Sequence, residues 1–295
     1  MFTVIINLIL TIFFVSGHGA AVFNPDATLL TLKPDAPAAA LAADKGAVLA
    51  AHDHYFLFLK NADASQPIAS ITKLMTALVF LDNNPGWNKV YQITAADNVS
   101  GGRLNLFLGD RVTLRDLFYT SLVASDNGAT LALVHATGLS EEAFVTKMNE
   151  RAKTLGLLQT HFKDPIGLSD DNVATAREVA LLAQAALSRP EIRDATTKSE
   201  YRFTTLDGRD KLIESTDYLL LNPGPSSFQV LGGKTGYTDQ AGYCFVGWFK
   251  DVSGGEFIAA VLNAAGKNDR FLESRNLVNW VVNNYDWRLK PLSSY

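Results

Sequence analysis

Three short segments hold residue types that could open an acyl bond. The first is Ser70-Ile71-Thr72-Lys73. A serine and a lysine three residues apart share one face of a helix. A serine hydroxyl is a poor nucleophile until a base takes its proton, and an uncharged lysine amine within hydrogen-bond distance can do so. A lysine in water is protonated and useless as a base, so this one must be desolvated or set beside another cation. Ile68, Leu74 and Met75 offer apolar surroundings, although the same spacing is common on solvated helix faces.

The second segment is Ser125-Asp126-Asn127. A hydroxyl there can pass a proton to a leaving amine, and the Asn127 amide can hold a peptide group. Ser-Asp-Asn is also ordinary turn and cap chemistry. The third is Lys234-Thr235-Gly236, where a cation and a hydroxyl together suit a substrate carboxylate. The glycine keeps a strand edge open for an extended peptide. A surface lysine at a strand end is the plain alternative.

These residues need elements to hold them. Gly46–Ala51 and Tyr55–Lys60 are apolar runs either side of His52-Asp53-His54, which predicts a β-hairpin. A helix is predicted from Ser70 to just before Asn83-Asn84-Pro85-Gly86, carrying Leu74, Met75, Leu78 and Val79 at helical spacing. Leu114–Val123 and Ala129–Ala136 read as two more. Ser140 can cap a helix ended by Gly156. Thr175 and Glu178 have the form of a capping box opening a helix through Ala186. Phe228–Lys234, Tyr243–Lys250 and Glu256–Asn263 read as strands, and Arg270–Val282 as a last helix. Strands, helices, then strands again predict a largely antiparallel sheet with a helical region between its two parts.

Composition narrows the function. The 295 residues can bury a sizeable core, and 47% are apolar. A net charge of −4 with no basic stripe gives nucleic acid no footing as a partner. One cysteine, Cys244, cannot form a disulfide within the chain and reads as a core residue. No cofactor or metal is implied, and His52-Asp53-His54 reads as a solvated turn lacking a third ligand. Phe2–Val15 is nearly all apolar and short for a membrane span, with small residues following to Ala21, as in an export signal; no basic residue precedes it. Residues 22–44, rich in proline and alanine, read as a linker or an arm on the domain surface.

In this order the three segments form the signature of class A β-lactamases and penicillin-binding proteins. The chain resembles the D-alanyl-D-alanine carboxypeptidase family of low-molecular-weight penicillin-binding proteins. The resemblance runs from about Ala47 to Trp280. It includes Asn61-Ala62-Asp63, Pro67 to Thr76, Met148-Asn149, Thr160-His161-Phe162, Pro165-x-Gly167-Leu168, Thr175-Ala176-Arg177 and Gly236-Tyr237-Thr238. It implies an α/β (α+β) fold of the β-lactamase/transpeptidase type: a five-stranded, mainly antiparallel sheet flanked by helices, plus an all-helical lobe at about 76–200, in one catalytic domain over 45–287. It further implies a serine D,D-peptidase acting on peptidoglycan stem peptides and inhibited covalently by β-lactams.

The resemblance also assigns roles. Ser70 would form the acyl-enzyme, Lys73 would be its base with its pKa lowered by Lys234, and Ser125 would relay the proton. Asn127, Lys234, Thr235 and Gly236 would hold the substrate. The backbone N–H groups of Ser70 and Tyr237 would form the oxyanion hole, and Arg270 would assist with the carboxylate unless it is a helix-surface arginine. About 60 residues follow Lys234, so no C-terminal membrane anchor is expected, and residues 288–295 are a tail. An endopeptidase cutting crosslinks, a β-lactamase, and a non-catalytic wall-binding protein are the alternatives. The β-lactamase requires a Glu-x-x-Leu-Asn segment, and none of Glu141, Glu142 and Glu150 begins one.

Overall fold

A computed structural model describes residues 31–52, 55–99, 101–102, 104–222 and 228–286. Five strands form the central sheet: β1 (Lys45–Ala50), β2 (Phe56–Lys60), β3 (Phe228–Thr238), β4 (Gly242–Asp251) and β5 (Glu256–Ala264). Their order is β3-β4-β5-β1-β2, and every pairing is antiparallel. Successive side chains point to opposite faces. Val48, Phe245, Phe257 and Val261 therefore join one core, and Leu49, Val246, Ile258 and Leu262 another. Covering both faces explains why these strands read as unbroken apolar runs.

The first core is closed by α8 (Asp269–Asn284) through Phe271, Leu277, Val278 and Val281. The second is closed by α5 (Ala176–Leu187), which also packs on α1 (Lys73–Asp82). Every residue of α1 from Lys73 to Phe80 is buried, which fits an element apolar on nearly all sides. Around it lie α2 (Leu114–Val123), α3 (Asn127–Ala136) and α4 (Glu141–Thr154). Ser140 caps α4 as its sequence predicts. At α5 only half of the expected box forms. Thr175 accepts from the Glu178 N–H, but the Glu178 carboxylate turns to the Gln159 N–H and the Thr160 hydroxyl.

A reciprocal box does open α2, where Thr113 and Asp116 bond each other's backbone N–H. Helix α2 delivers the chain to Ser125. Thr113→Ala should lower the unfolding free energy by about 0.5–2 kcal/mol in urea titrations, with the slope of the transition unchanged.

The helical lobe also contains small β ladders, Val90–Gln92 with Arg111–Thr113 and Glu200–Thr204 with Asp210–Glu214, and a short helix α6 (Pro190–Thr196). These segments are brief, and their charged residues hide the alternation. The arm over 31–44 lies on the domain. Thr31–Leu32 pairs with Tyr285–Asp286, the Lys60 amine donates to the Leu41 and Ala43 carbonyls, and the Trp280 indole donates to the Pro37 carbonyl. The expected export signal (1–21), the start of the arm (22–30), part of the His52-Asp53-His54 turn and the tail (288–295) lie outside the described residues. Among the described residues, no helix is long and apolar enough to cross a membrane.

Candidate active site

The three segments meet. Ala69–Thr72 is a 3₁₀ turn leading into α1, a slightly different start from the regular helix expected at Ser70. With three residues per turn it stacks positions 70 and 73 directly. The Lys73 amine lies 2.9 Å from the Ser70 hydroxyl, 2.8 Å from the Asn127 side-chain oxygen and 2.6 Å from the Ile166 carbonyl. The amine donates to all three oxygens as an ammonium; uncharged, it can give its two N–H groups to the two oxygens that only accept and turn its lone pair to the Ser70 O–H.

Burial favours the uncharged form. Lys73 is fully buried, and its pKa falls to about 7; burial is the chief cause, opposed by the charges of Asp126 and Asp164. The resemblance credits the lowering to Lys234; burial is the larger cause here. Lys234 is buried as well, and its own pKa is lowered, first by burial and then by Lys73 and Arg270.

Ser125 sits between α2 and α3 with φ of +58°, a left-handed conformation that costs a non-glycine residue energy and is tolerated where the surroundings fix it. Its hydroxyl accepts from the Lys234 amine at 2.7 Å. Lys234 also donates to the Thr235 carbonyl at 2.9 Å. Asp126 serves structure, capping α3 through the Ala129 N–H and tying down Asn105. Asn127, first residue of α3, holds Lys73 with its oxygen and donates to the Gly101 carbonyl with its nitrogen.

Strand β3 lies hard against the Ser70 turn. A methyl group at Gly236 would sit 2.6 Å from the Ile68 carbonyl oxygen, so only glycine allows this approach. Tyr237, next along the strand, lines the cleft and stacks on Tyr243. Arg270 is only 5% exposed, which removes the reading of a helix-surface arginine. It donates to the Gly236 carbonyl at 3.0 Å and lies over the Tyr243 and Phe271 rings, at the cleft wall.

Several participants were not singled out from the sequence. Asp164 accepts the backbone N–H groups of Ile166, Gly167 and Ser169, and so shapes the loop that offers the Ile166 carbonyl to Lys73. The Thr216 hydroxyl lies 2.8 Å from that of Thr235. Asp217 is buried beside them, its pKa raised to about 7 chiefly by burial. An Asp-Pro turn before Gly167 was the available signal for the loop. Nothing local in the sequence marks Thr216.

The D-alanyl-D-alanine carboxypeptidase family pattern matches residues 33–266. The chain belongs to that family. A D-alanyl-D-alanine endopeptidase of Haemophilus influenzae is 37% identical over 188 residues, 63% of each chain. A D-alanyl-D-alanine carboxypeptidase of Bacillus subtilis is 31% identical over 250 residues, 82% of this chain and 63% of that one. The match thus spans less than two thirds of the length of either relative. Among solved structures, penicillin-binding protein D2 of Listeria monocytogenes, in a cefotaxime-bound form, superposes with a TM-score of 0.72 at 33% identity over 83% of this chain and 99% of that one. The expected fold is the fold found. Its cleft has a volume of about 470 Å³ and is lined by Ser70, Ser125, Asn127, Thr235 and Tyr237, among others.

Proposed function

We propose that the chain cleaves D-alanyl peptide bonds of peptidoglycan stem peptides through an acyl-enzyme at Ser70. The observation that carries this is the buried Lys73 amine 2.9 Å from the Ser70 hydroxyl, in surroundings that favour its uncharged form. The Ser70 oxygen attacks the carbonyl carbon while its proton passes to Lys73. The C–N bond then breaks, and Ser125 gives a proton to the leaving amine and takes back the one that Lys73 holds. Water later attacks the ester and frees Ser70. Lys234 and Thr235 take the substrate carboxylate, Asn127 and the edge of β3 at Gly236 hold the peptide, and the Ser70 and Tyr237 N–H groups face the oxyanion. Arg270 supports the same carboxylate region by bracing β3 from behind. β-Lactams, which present a similar acid group and a reactive amide, acylate the same serine.

The β-lactamase reading has less support. Among the described residues no Asp or Glu hydrogen-bonds to Ser70 or Lys73, and the nearby Asp164 is occupied by backbone N–H groups. Penicillin should therefore remain attached. The same proposal takes 1–21 as an export signal, 45–287 as one catalytic domain, and the cell envelope outside the cytoplasm as the place of action.

The test is labelled penicillin with wild-type protein and Ser70→Ala, followed by peptide mapping. Wild type should carry a stable label on the peptide containing Ser70, and the variant none. Label retained by the variant, or rapid hydrolysis of penicillin by wild type, would overturn the reading.

A further inference from the structure

We propose that Asp217 is a positioning residue of the carboxylate anchor: it keeps Lys234 a cation, and so sets the pH range over which the cleft binds the acid end of its substrate. This rests on the D,D-peptidase reading above, in which Lys234 and Thr235 take that acid group. An ammonium has three N–H donors and an uncharged amine has two. Lys234 gives one to the Ser125 hydroxyl at 2.7 Å and one to the Thr235 carbonyl at 2.9 Å. The donor left for a ligand, and the charge behind it, both depend on the third proton.

The fold works against that proton. Lys234 is buried, and burial, the Lys73 amine of α1 and the Arg270 guanidinium of α8 all favour its uncharged form. Asp217 is the acid group that acts the other way. It follows Thr216, whose hydroxyl is 2.8 Å from that of Thr235, and it precedes the short helix α7 (Tyr218–Leu221). It is only 3% exposed. One carboxylate oxygen, Oδ1, caps α7 by accepting the Leu219 N–H at 2.9 Å. The other, Oδ2, is buried and has no hydrogen-bond partner among the described residues. Capping needs one oxygen, and Ser, Thr or Asn would supply it without burying an unpaired second one. What an aspartate adds is negative charge, and the cations that act on it are Arg270 and Lys234.

The two titrations run together. Burial raises the Asp217 pKa to about 7, so the group is neutral below that pH and an anion above it. Lys234, with its pKa lowered, tends to lose its proton as pH rises. The anion therefore gathers in the direction in which the cation would fail. The base Lys73 answers to other groups, since the leading charges that act on it are those of Asp126 and Asp164.

The test is Asp217→Asn, which keeps an oxygen for the Leu219 N–H and removes the charge. KM and kcat for a wall pentapeptide should be measured by mass spectrometry on both purified proteins, from pH 5.5 to 9. At the acid end, where Asp217 is neutral in wild type, the two KM values should coincide. As pH rises, KM of the variant should climb earlier and stand about tenfold above wild type where the two differ most. The rise of kcat through about pH 7, which belongs to Lys73, should appear in both. Coincident KM profiles, or a lower KM for the variant at high pH, would overturn the proposal. So would an equal deficit at every pH, which would leave Asp217 as a helix cap alone. Each of these outcomes leaves the D,D-peptidase reading standing. Loss of that reading looks different: wild type would neither cut the peptide nor take up labelled penicillin at Ser70.

Discussion

Replacing Lys73 with methionine should slow the acylation of Ser70 by penicillin about 10²–10⁴-fold, the usual worth of a positioned base. Methionine keeps much of the length and volume but removes the amine that lies 2.9 Å from the Ser70 hydroxyl. It also leaves the Asn127 oxygen and the Ile166 carbonyl without their donor. The pH profile separates loss of the base from loss of shape. In wild type the amine is the base only when unprotonated, and its pKa is lowered to about 7. The acylation rate should therefore climb as pH rises through about 7 and level off above it. Lys73→Met should show a low rate without that step. Stopped-flow measurements with a fluorescent penicillin between pH 5 and 9 would decide it. A variant that keeps both the rate and the step would remove Lys73 from the role of base.

Gly167→Ala should damage both stability and activity. Gly167 has φ of +85°, which costs an alanine about 1–2 kcal/mol. Its added methyl would lie 2.2 Å from the Ala69 carbonyl oxygen and 2.9 Å from the Ser70 nitrogen. Both are backbone atoms that cannot swing aside, so about 1–3 kcal/mol of overpacking adds to the first cost. To relieve the clash, either the Ser70 turn or the loop holding the Ile166 carbonyl must shift, and each shift disturbs the Lys73 amine. The denaturation midpoint in urea and the penicillin acylation rate should fall together. An unchanged midpoint would mean that the loop yields freely and does not brace the serine.

Much of this site was legible because its key residues lie within single turns. Ser70 and Lys73 are one turn apart, and Ser125 to Asn127 and Lys234 to Gly236 are contiguous. The five strands were readable because their runs are apolar on both faces. Long-range placement was less accessible. The nitrogen that Asn127 steadies comes from 54 positions away, and the carbonyl that Lys73 needs comes from 93 positions further on. A main-chain carbonyl carries no residue signature, so Ile166 could not be recognised by type. Thr216 resembles any polar loop residue until the sheet brings Thr235 beside it. The origin of the lowered Lys73 pKa also required the fold, since burial depends on packing around α1 and not on the neighbours in sequence.

The clasp between Thr31–Leu32 and Tyr285–Asp286 has a mechanical consequence. Thr31 faces Asp286 and Leu32 faces Tyr285, so both outward chain ends leave from the same end of the ladder. Tension drawing those ends apart would peel hydrogen bonds singly, like a zipper, instead of shearing them together. The arm would yield at low force, next loading the Lys33 contacts with Asn283 and Asn284. A protein tethered at either end could thus stretch by the length of its arm before strain reached the serine turn.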